Sequence, residues 1–141
     1  SCKLVLKSDA KPVIDPPRKL PFKLHNKVKE ELGRMEQDGV IEKVNEPSEW
    51  VNSMVVTVKK SGSLRICLDP KNLNNNLMRS HYQLPTLSEL RSELNGSTIF
   101  STLDANSGFW IIPVDEESSK LLCFNTPFGR YRFERLPYGV S

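Results

Sequence analysis

The sequence has few cysteines and no long apolar run, and both absences exclude classes of protein. Its three cysteines, Cys2, Cys67 and Cys123, are odd in number, widely spaced and without a Cys-x-x-Cys pair. This pattern argues against a disulfide framework and is typical of reduced thiols, so it predicts an intracellular protein, cytoplasmic or nuclear. No stretch approaches the roughly 20 apolar residues of a membrane helix, so we expect no membrane partner.

The sequence also lacks an initiator methionine, a signal peptide, internal repeats and low-complexity tracts. We therefore expect it to be a piece of a longer protein, about one domain in size. The net charge of +3 is too small to indicate nucleic acid, but its distribution is uneven. Residues 1–81 carry 15 Lys or Arg against 10 Asp or Glu, whereas residues 82–141 carry 5 against 7. A basic first half would face phosphate, and an acidic second half would hold cations.

The first 40 residues predict an extended arm followed by a helix. Four prolines within residues 1–22 exclude a helix there and leave only short extended pieces. Beyond them, residues 24–38 carry apolar side chains at helical spacing, with charged residues on the other faces, and Gly39 ends the pattern.

The rest of the chain predicts two hairpins separated by a helix. Residues 53–60 and 63–69 flank Ser61-Gly62, which places Lys60 at the tip and Arg65 on the returning strand. Charges of this kind are often structurally neutral on a solvated hairpin. Residues 121–125 and 130–136 predict a second hairpin. Thr86 and Glu89 form a capping box that predicts a helix with a leucine stripe between the hairpins, and an acidic turn or short helix is expected at residues 115–120.

Residues 99–114 are the stretch around which the rest is organised. The apolar run 99–103 predicts a short strand that presents Asp104 at its end. Asn106-Ser107-Gly108 then bends the backbone before a second apolar run, 109–114, which would hold Phe109 close to the carboxylate. The alternative is that Asp104 only caps the turn or helix that follows it.

The order of the motifs, rather than any one of them, identifies a family. A hairpin with Lys-Lys and Leu-Arg-Ile-Cys-Leu-Asp-Pro is followed by His-Tyr-Gln-Leu-Pro, Phe-Ser-Thr-Leu-Asp-Ala-Asn-Ser-Gly-Phe-Trp, Phe-Asn-Thr-Pro-Phe-Gly-Arg-Tyr-Arg-Phe and Leu-Pro-Tyr-Gly. This succession resembles the reverse transcriptase of Ty3/gypsy-type LTR retrotransposons over nearly the whole chain. It implies an α+β fold, the fingers and partial palm of a right-hand polymerase. The implied division is an arm at 1–22, fingers at 23–80, partial palm at 81–111 and a second fingers segment at 112–141.

The resemblance implies a metal site and a sugar gate. Asp104 matches the first carboxylate of the polymerase site, which binds two Mg²⁺ ions in the complete enzyme, and Ala105 would offer its carbonyl to one of them. Phe109 matches the aromatic gate under the incoming sugar, where its ring would exclude a ribose 2′-hydroxyl. The alternative for Phe109 is a core aromatic.

The resemblance also implies contacts to the incoming deoxynucleoside triphosphate. Lys60 and Arg65 match the fingers residues that hold the triphosphate, and Tyr138 and Gly139 belong to the segment that lies against the nucleotide and the template base. The alternatives are that Tyr138 is a packed turn residue and that Asp69 is a structural partner of Arg65. The implied partners are an RNA or DNA template-primer and the remainder of the polymerase chain.

Two departures from the family pattern qualify this interpretation. Ile111 stands where the family has Gln, and no Tyr/Phe-x-Asp-Asp motif is present, because the sequence ends where the family's chain re-enters the palm. One carboxylate does not hold two Mg²⁺ ions on a triphosphate, so we expect this segment to be inactive alone. The strand at 99–103 would then have an open edge, which predicts either marginal stability or self-association. The alternative function is a truncated or host-retained remnant that binds nucleic acid or protein without catalysis.

Overall fold

The computed structural model describes all 141 residues and has the predicted mixed α+β fold. Its elements in chain order are a 3-10 helix at Phe22–Leu24, α1 (His25–Gln37), β1 (Ile41–Val44), β2 (Ser53–Val58), β3 (Leu64–Asp69), α2 (Lys71–Asn76), α3 (Leu87–Leu94), a 3-10 helix at Gly108–Ile111, α4 (Glu116–Leu121), β4 (Cys123–Thr126) and β5 (Gly129–Phe133). None of the helices has the length and apolar character needed to cross a membrane.

Both predicted hairpins form, and they belong to two separate antiparallel sheets. β2 and β3 make a two-stranded sheet, while β5 lies between β1 and β4 in a three-stranded one. The register pairs Thr57 with Arg65 in the first sheet and Ile41 with Phe133 in the second. Each turn contains a glycine with positive φ, Gly62 at +83° and Gly129 at +123°. These are backbone conformations that glycine adopts without steric cost.

A single hydrophobic core joins α1 to both sheets. The helix predicted at residues 24–38 buries Val28, Leu32 and Met35, and these pack with side chains from β3 and from the three-stranded sheet. Phe124 and Phe133 are completely buried, with ring centroids 5.1 Å apart. This core fixes the β2–β3 hairpin relative to the second half of the chain.

The proline-rich arm is extended, as expected, and lies along other elements. Isolated bridges pair Cys2 with Val114, Leu6 with Leu77, and Ile14 with Val51. Arg18 forms an ion pair with Asp69. The interpretation of Asp69 as a partner of Arg65 is therefore wrong: its partner comes from the arm. All three cysteines are free thiols.

The strand predicted at residues 99–103 is absent. This segment has no regular secondary structure, and Ile99 and Leu103 are 86% and 96% exposed. The physical reason is that no other strand lies beside it, and extended backbone needs a partner to satisfy its N–H and C=O groups. There is therefore no open strand edge at this segment, although its apolar side chains are exposed to solvent.

Two neighbouring predictions are met only in part. The run 109–114 begins as a 3-10 helix rather than as extended chain. The capping box of Thr86 and Glu89 forms as predicted and begins α3. The leucine stripe of α3 packs on nothing, because Leu87, Leu90 and Leu94 are 66%, 42% and 52% exposed.

Candidate nucleotide-binding site

A cavity of about 380 Å³ brings together four of the residues singled out in the sequence: Arg65, Asp104, Ala105 and Tyr138. We call it the nucleotide cavity. Its remaining lining is contributed by α1, the β2–β3 hairpin and the segment after Asp104, namely Glu31, Arg34, Lys59, Leu64, Asn106, Ser107 and Trp110. Its volume lies within the about 300–1,000 Å³ typical of small-molecule pockets.

Arg65 owes its position to the alternation of β3. Leu64, Ile66 and Leu68 point into the core, so the side chain of Arg65 projects to the opposite face. Its guanidinium carbon lies 5.1 Å from the centre of the Tyr138 ring. A guanidinium at this distance is attracted by the electron-rich face of the ring, and this contact orients Arg65 at the wall of the cavity.

Tyr138 is held by a close backbone approach that requires a glycine next to it. The carbonyl of Tyr138 accepts a hydrogen bond from the N–H of Leu68 at 3.3 Å. Gly139 has φ +108°, and a Cβ on it would lie 2.4 Å from the Leu68 carbonyl oxygen. The Asn74 side chain fixes the turn, donating to the Gly139 carbonyl at 2.9 Å and accepting from the Ser141 N–H at 3.1 Å. Gly139 is thus at the site through its backbone and does not line the cavity.

Phe109 lies against Tyr138 rather than in the wall of the cavity. The two rings meet edge to face, with centroids 4.9 Å apart and an interplanar angle of 71°. Ser107, at φ +51°, turns the chain into the 3-10 helix that carries Phe109 and Trp110. The Trp110 ring also lies near Tyr138, with ring centroids 6.3 Å apart. Its buried indole N–H has no hydrogen-bond partner. Tyr138 therefore connects the β2–β3 hairpin, through Arg65, with the segment that follows Asp104.

Asp104 presents an exposed carboxylate at the cavity, but few other metal ligands accompany it. The 3-10 helix after it, Gly108–Ile111, has Ser107 as its N-cap residue and no side-chain cap, so Asp104 does not cap this helix. The other acidic residue of the cavity, Glu31, is paired with Arg34 at 2.6 Å. No group of three or more His, Cys, Asp or Glu side chains is placed to hold a metal ion. One free carboxylate and the Ala105 carbonyl do not fit a two-ion centre.

Lys60 lies in the hairpin turn, as predicted, but Lys59 is the lysine that lines the cavity. The observed strand register explains why Lys59 lines the cavity. Thr57 lies opposite Arg65, and side chains alternate along a strand, so Lys59 is on the same face as both. Trp110 and Asn74 were also missed in the sequence. Ile111, the departure from the family pattern, is 60% exposed and does not line the cavity.

The fold and the cavity define an α+β domain in which cationic side chains and a carboxylate surround one pocket. The chain belongs to the family described as reverse transcriptase (RNA-dependent DNA polymerase), whose sequence profile matches residues 57–141, more than half of the chain. The resemblance to Ty3/gypsy-type elements is confirmed. The relatives include the Pol polyprotein of transposon 412 from Drosophila melanogaster, 34% identical over 125 residues, which cover 83% of this chain and 10% of the polyprotein.

Other matches extend the comparison to viruses. The enzymatic polyprotein of Figwort mosaic virus is 35% identical over 83 residues, which are 59% of this chain and 12% of the polyprotein. Among solved structures, a foamy virus protease–reverse transcriptase matches with a TM-score of 0.74 and 22% identity, over 94% of this chain and 18% of that one. A foamy viral protease–reverse transcriptase in complex with double-stranded DNA matches with a TM-score of 0.72 and 18% identity, over 91% and 22%. At these identities the structures show the shared fold, and the chain spans about a tenth of the polyproteins that it matches.

Proposed function

We propose that this chain forms the incoming-nucleotide side of an RNA-directed DNA polymerase encoded by a retrotransposon. The observation that supports this is the meeting of Arg65, Asp104, Ala105 and Tyr138 at one cavity, although their elements are far apart in sequence. The division into an arm at 1–22, fingers at 23–80, partial palm at 81–111 and a second fingers segment at 112–141 belongs to this proposal.

Several residues that line the cavity, and Phe109 beside it, each have a role in the proposal. Arg65 binds the triphosphate as a planar fork, and Lys59 or its neighbour Lys60 adds a point charge. Phe109 excludes a ribose 2′-hydroxyl from the sugar position, and Tyr138 holds Arg65 and Phe109 at a fixed separation through its two ring contacts. In this way the incoming nucleotide is bound between the fingers hairpin and the segment after Asp104.

The chain is proposed to be inactive by itself. Reverse transcriptases generally use Mg²⁺, and two-metal transfer requires carboxylates that hold both ions on the attacking and leaving oxygens. Asp104 is the one unpaired carboxylate at the cavity. We therefore expect no primer extension by the purified 141-residue chain. Extension after addition of a separately expressed downstream polymerase segment would support the proposal, and extension by the chain alone would contradict it.

Nucleic acid is the proposed partner of the complete enzyme. A foamy viral relative of the same fold is in complex with double-stranded DNA, and residues 1–81 of this chain carry a surplus of five basic residues. Binding through such a surface requires phosphate contacts, so the affinity is expected to fall steeply as salt is raised. A salt-independent affinity would contradict this part of the proposal.

Nucleotide binding is the direct test of the cavity. We expect a deoxynucleoside triphosphate to shift the NMR signals of Arg65, Tyr138 and the Lys59 amide, and R65A to weaken binding by about tenfold, the effect of losing a charge-assisted contact of about 1.4 kcal/mol. R91A is the matched control, because Arg91 is an exposed arginine on α3 outside the cavity. Equal affinities of R65A and R91A would refute the assignment.

The second candidate is a non-catalytic module that binds nucleic acid or protein. It is favoured by the apolar exposure of residues 99–103 and of Ile111, which in this chain are covered by nothing. The same titration distinguishes the two functions. A chain that binds oligonucleotides but leaves the cavity signals unchanged at millimolar nucleotide supports the module.

A further inference from the structure

A cluster of aromatic rings lies on the surface where α1 begins and the β4–β5 turn passes beside it. The Phe22 and His25 rings are 5.6 Å apart, and the His25 and Phe128 rings are 5.9 Å apart in an edge-on arrangement. We call these three residues the aromatic platform. None of them lines the nucleotide cavity, so the proposed polymerase chemistry gives them no role.

The rings differ in burial in a way that suits a binding surface. Phe128 is half-buried and packs against the hydrophobic core, whereas Phe22 is 90% exposed. The backbone under Phe22 is nevertheless held in place. The Leu24 N–H donates to the Pro21 carbonyl at 2.9 Å, and the His25 backbone N–H donates to the Phe22 carbonyl. The platform thus offers the faces of a large ring to solvent from an ordered turn.

The charges beside the platform are mainly positive. Lys29 places its ammonium 5.9 Å from the centre of the Phe128 ring, and Lys23 lies within the same 3-10 helix as Phe22. Neither lysine takes part in an ion pair of the structure. Exposed Glu30 is the acidic neighbour of Lys29 on α1. Two free ammonium groups beside the exposed Phe22 ring and the half-buried Phe128 ring complement a ligand that combines phosphates with flat aromatic bases.

We propose that the aromatic platform is a stacking site for unpaired bases of single-stranded nucleic acid, with Phe22 as the contact ring and Lys23 and Lys29 on the flanking phosphates. The inference rests on the proposed function, which takes nucleic acid as the partner, and adds a second contact site to it. Single strands fit better than duplex, because the face of a base is available to a protein ring only where the base is unstacked from its neighbours.

Removal of the Phe22 ring tests the site in the 141-residue chain itself. The probes are a fluorescent strand of about twelve nucleotides, an abasic strand with the same number of phosphates, and a duplex. We expect F22A and F22L to weaken binding of the base-containing strand by about fivefold to a hundredfold, with no change on the abasic strand or the duplex. F22W, which keeps a stacking surface, is expected to restore binding.

Matched controls separate this inference from the proposed function. Y82A removes a side chain that is likewise 82% exposed but lies outside the platform, and it is expected to bind like the wild type. Equal binding of F22A and wild type, or an equal loss on strands with and without bases, overturns the platform alone. If the wild-type chain binds none of the three probes at low salt, both the platform and the nucleic-acid part of the proposed function are overturned.

Discussion

Replacement of Gly139 by alanine is the sharpest test of how the nucleotide cavity is built. An alanine at φ +108° is strained by about 1–3 kcal/mol, and its Cβ would lie 2.4 Å from the Leu68 carbonyl oxygen, an overlap with backbone that no side-chain rotation relieves. The turn at residues 138–141 is held on β3 and α2 by three hydrogen bonds, from the Leu68 N–H and to and from the Asn74 side chain. Together these contribute about 2–4 kcal/mol.

The backbone strain of an alanine at position 139 is thus similar in size to the free energy contributed by the three hydrogen bonds. The turn also lies at the surface. We therefore expect G139A to release the turn rather than to unfold the domain, with a loss of about 1–3 kcal/mol in the free energy of unfolding. Release removes Tyr138 from Arg65. The variant should then bind deoxynucleoside triphosphate about as weakly as R65A does.

The matched control is G33A. It also replaces a glycine by alanine, but it is expected to raise the free energy of unfolding rather than lower it. Gly33 lies inside α1, and a Cβ added to it would meet no atom within 4 Å. Alanine at such a helical position stabilises by about 0.5–1 kcal/mol.

Urea unfolding followed by circular dichroism measures both stability changes, and amide hydrogen exchange at Leu68 reports release of the turn. The Leu68 N–H should exchange faster in G139A than in wild type and unchanged in G33A. Wild-type stability and unchanged Leu68 protection in G139A would show that the close approach does not hold Tyr138 in place, and the account of the cavity would be wrong.

Further variants test the remaining electrostatic and apolar features. Arg132 is 17% exposed and paired with three carboxylates, so R132A should lower the free energy of unfolding by about 1–2 kcal/mol in urea titrations. Hydrogen bonds from Ser118 lower the pKa of Asp115 in the folded chain. The ionised carboxylate therefore stabilises the fold above the unfolded pKa of 3.8, and this contribution is lost as pH falls through the lower folded pKa. D115N should make the melting temperature less dependent on pH in this acid range. We predict that the exposed Ile99 and Leu103 side chains make the wild-type chain self-associate in sedimentation velocity, and that replacing both by serine reduces this association without changing the melting temperature.

Local chemistry explains which elements are predictable from this sequence. Both hairpins and α1 follow from turn residues, alternation and helical spacing within short windows, and each forms close to its predicted bounds. The capping box of Thr86 is equally local and equally correct. The predicted strand at 99–103 has the right composition but fails, since pairing depends on a second strand that composition does not supply. The leucine stripe of α3 is exposed for a similar reason. An apolar stripe is buried only where another surface packs against it, and its composition does not supply that surface.

The cavity is harder to predict from the sequence, because its key contact joins Arg65 and Tyr138, which are 73 positions apart. Arg65 and Tyr138 are both indicated by the family resemblance of their motifs, but nothing local indicates that the guanidinium lies over the ring. The contact exists because the Leu68 N–H donates a hydrogen bond to the Tyr138 carbonyl and because Gly139 permits the close approach. Lys59 shows the complementary point: its place in the cavity follows from strand alternation alone once Thr57 is paired with Arg65. Residues that reach a site through regular strand geometry are thus open to prediction, whereas contacts that depend on one backbone meeting another require the folded chain.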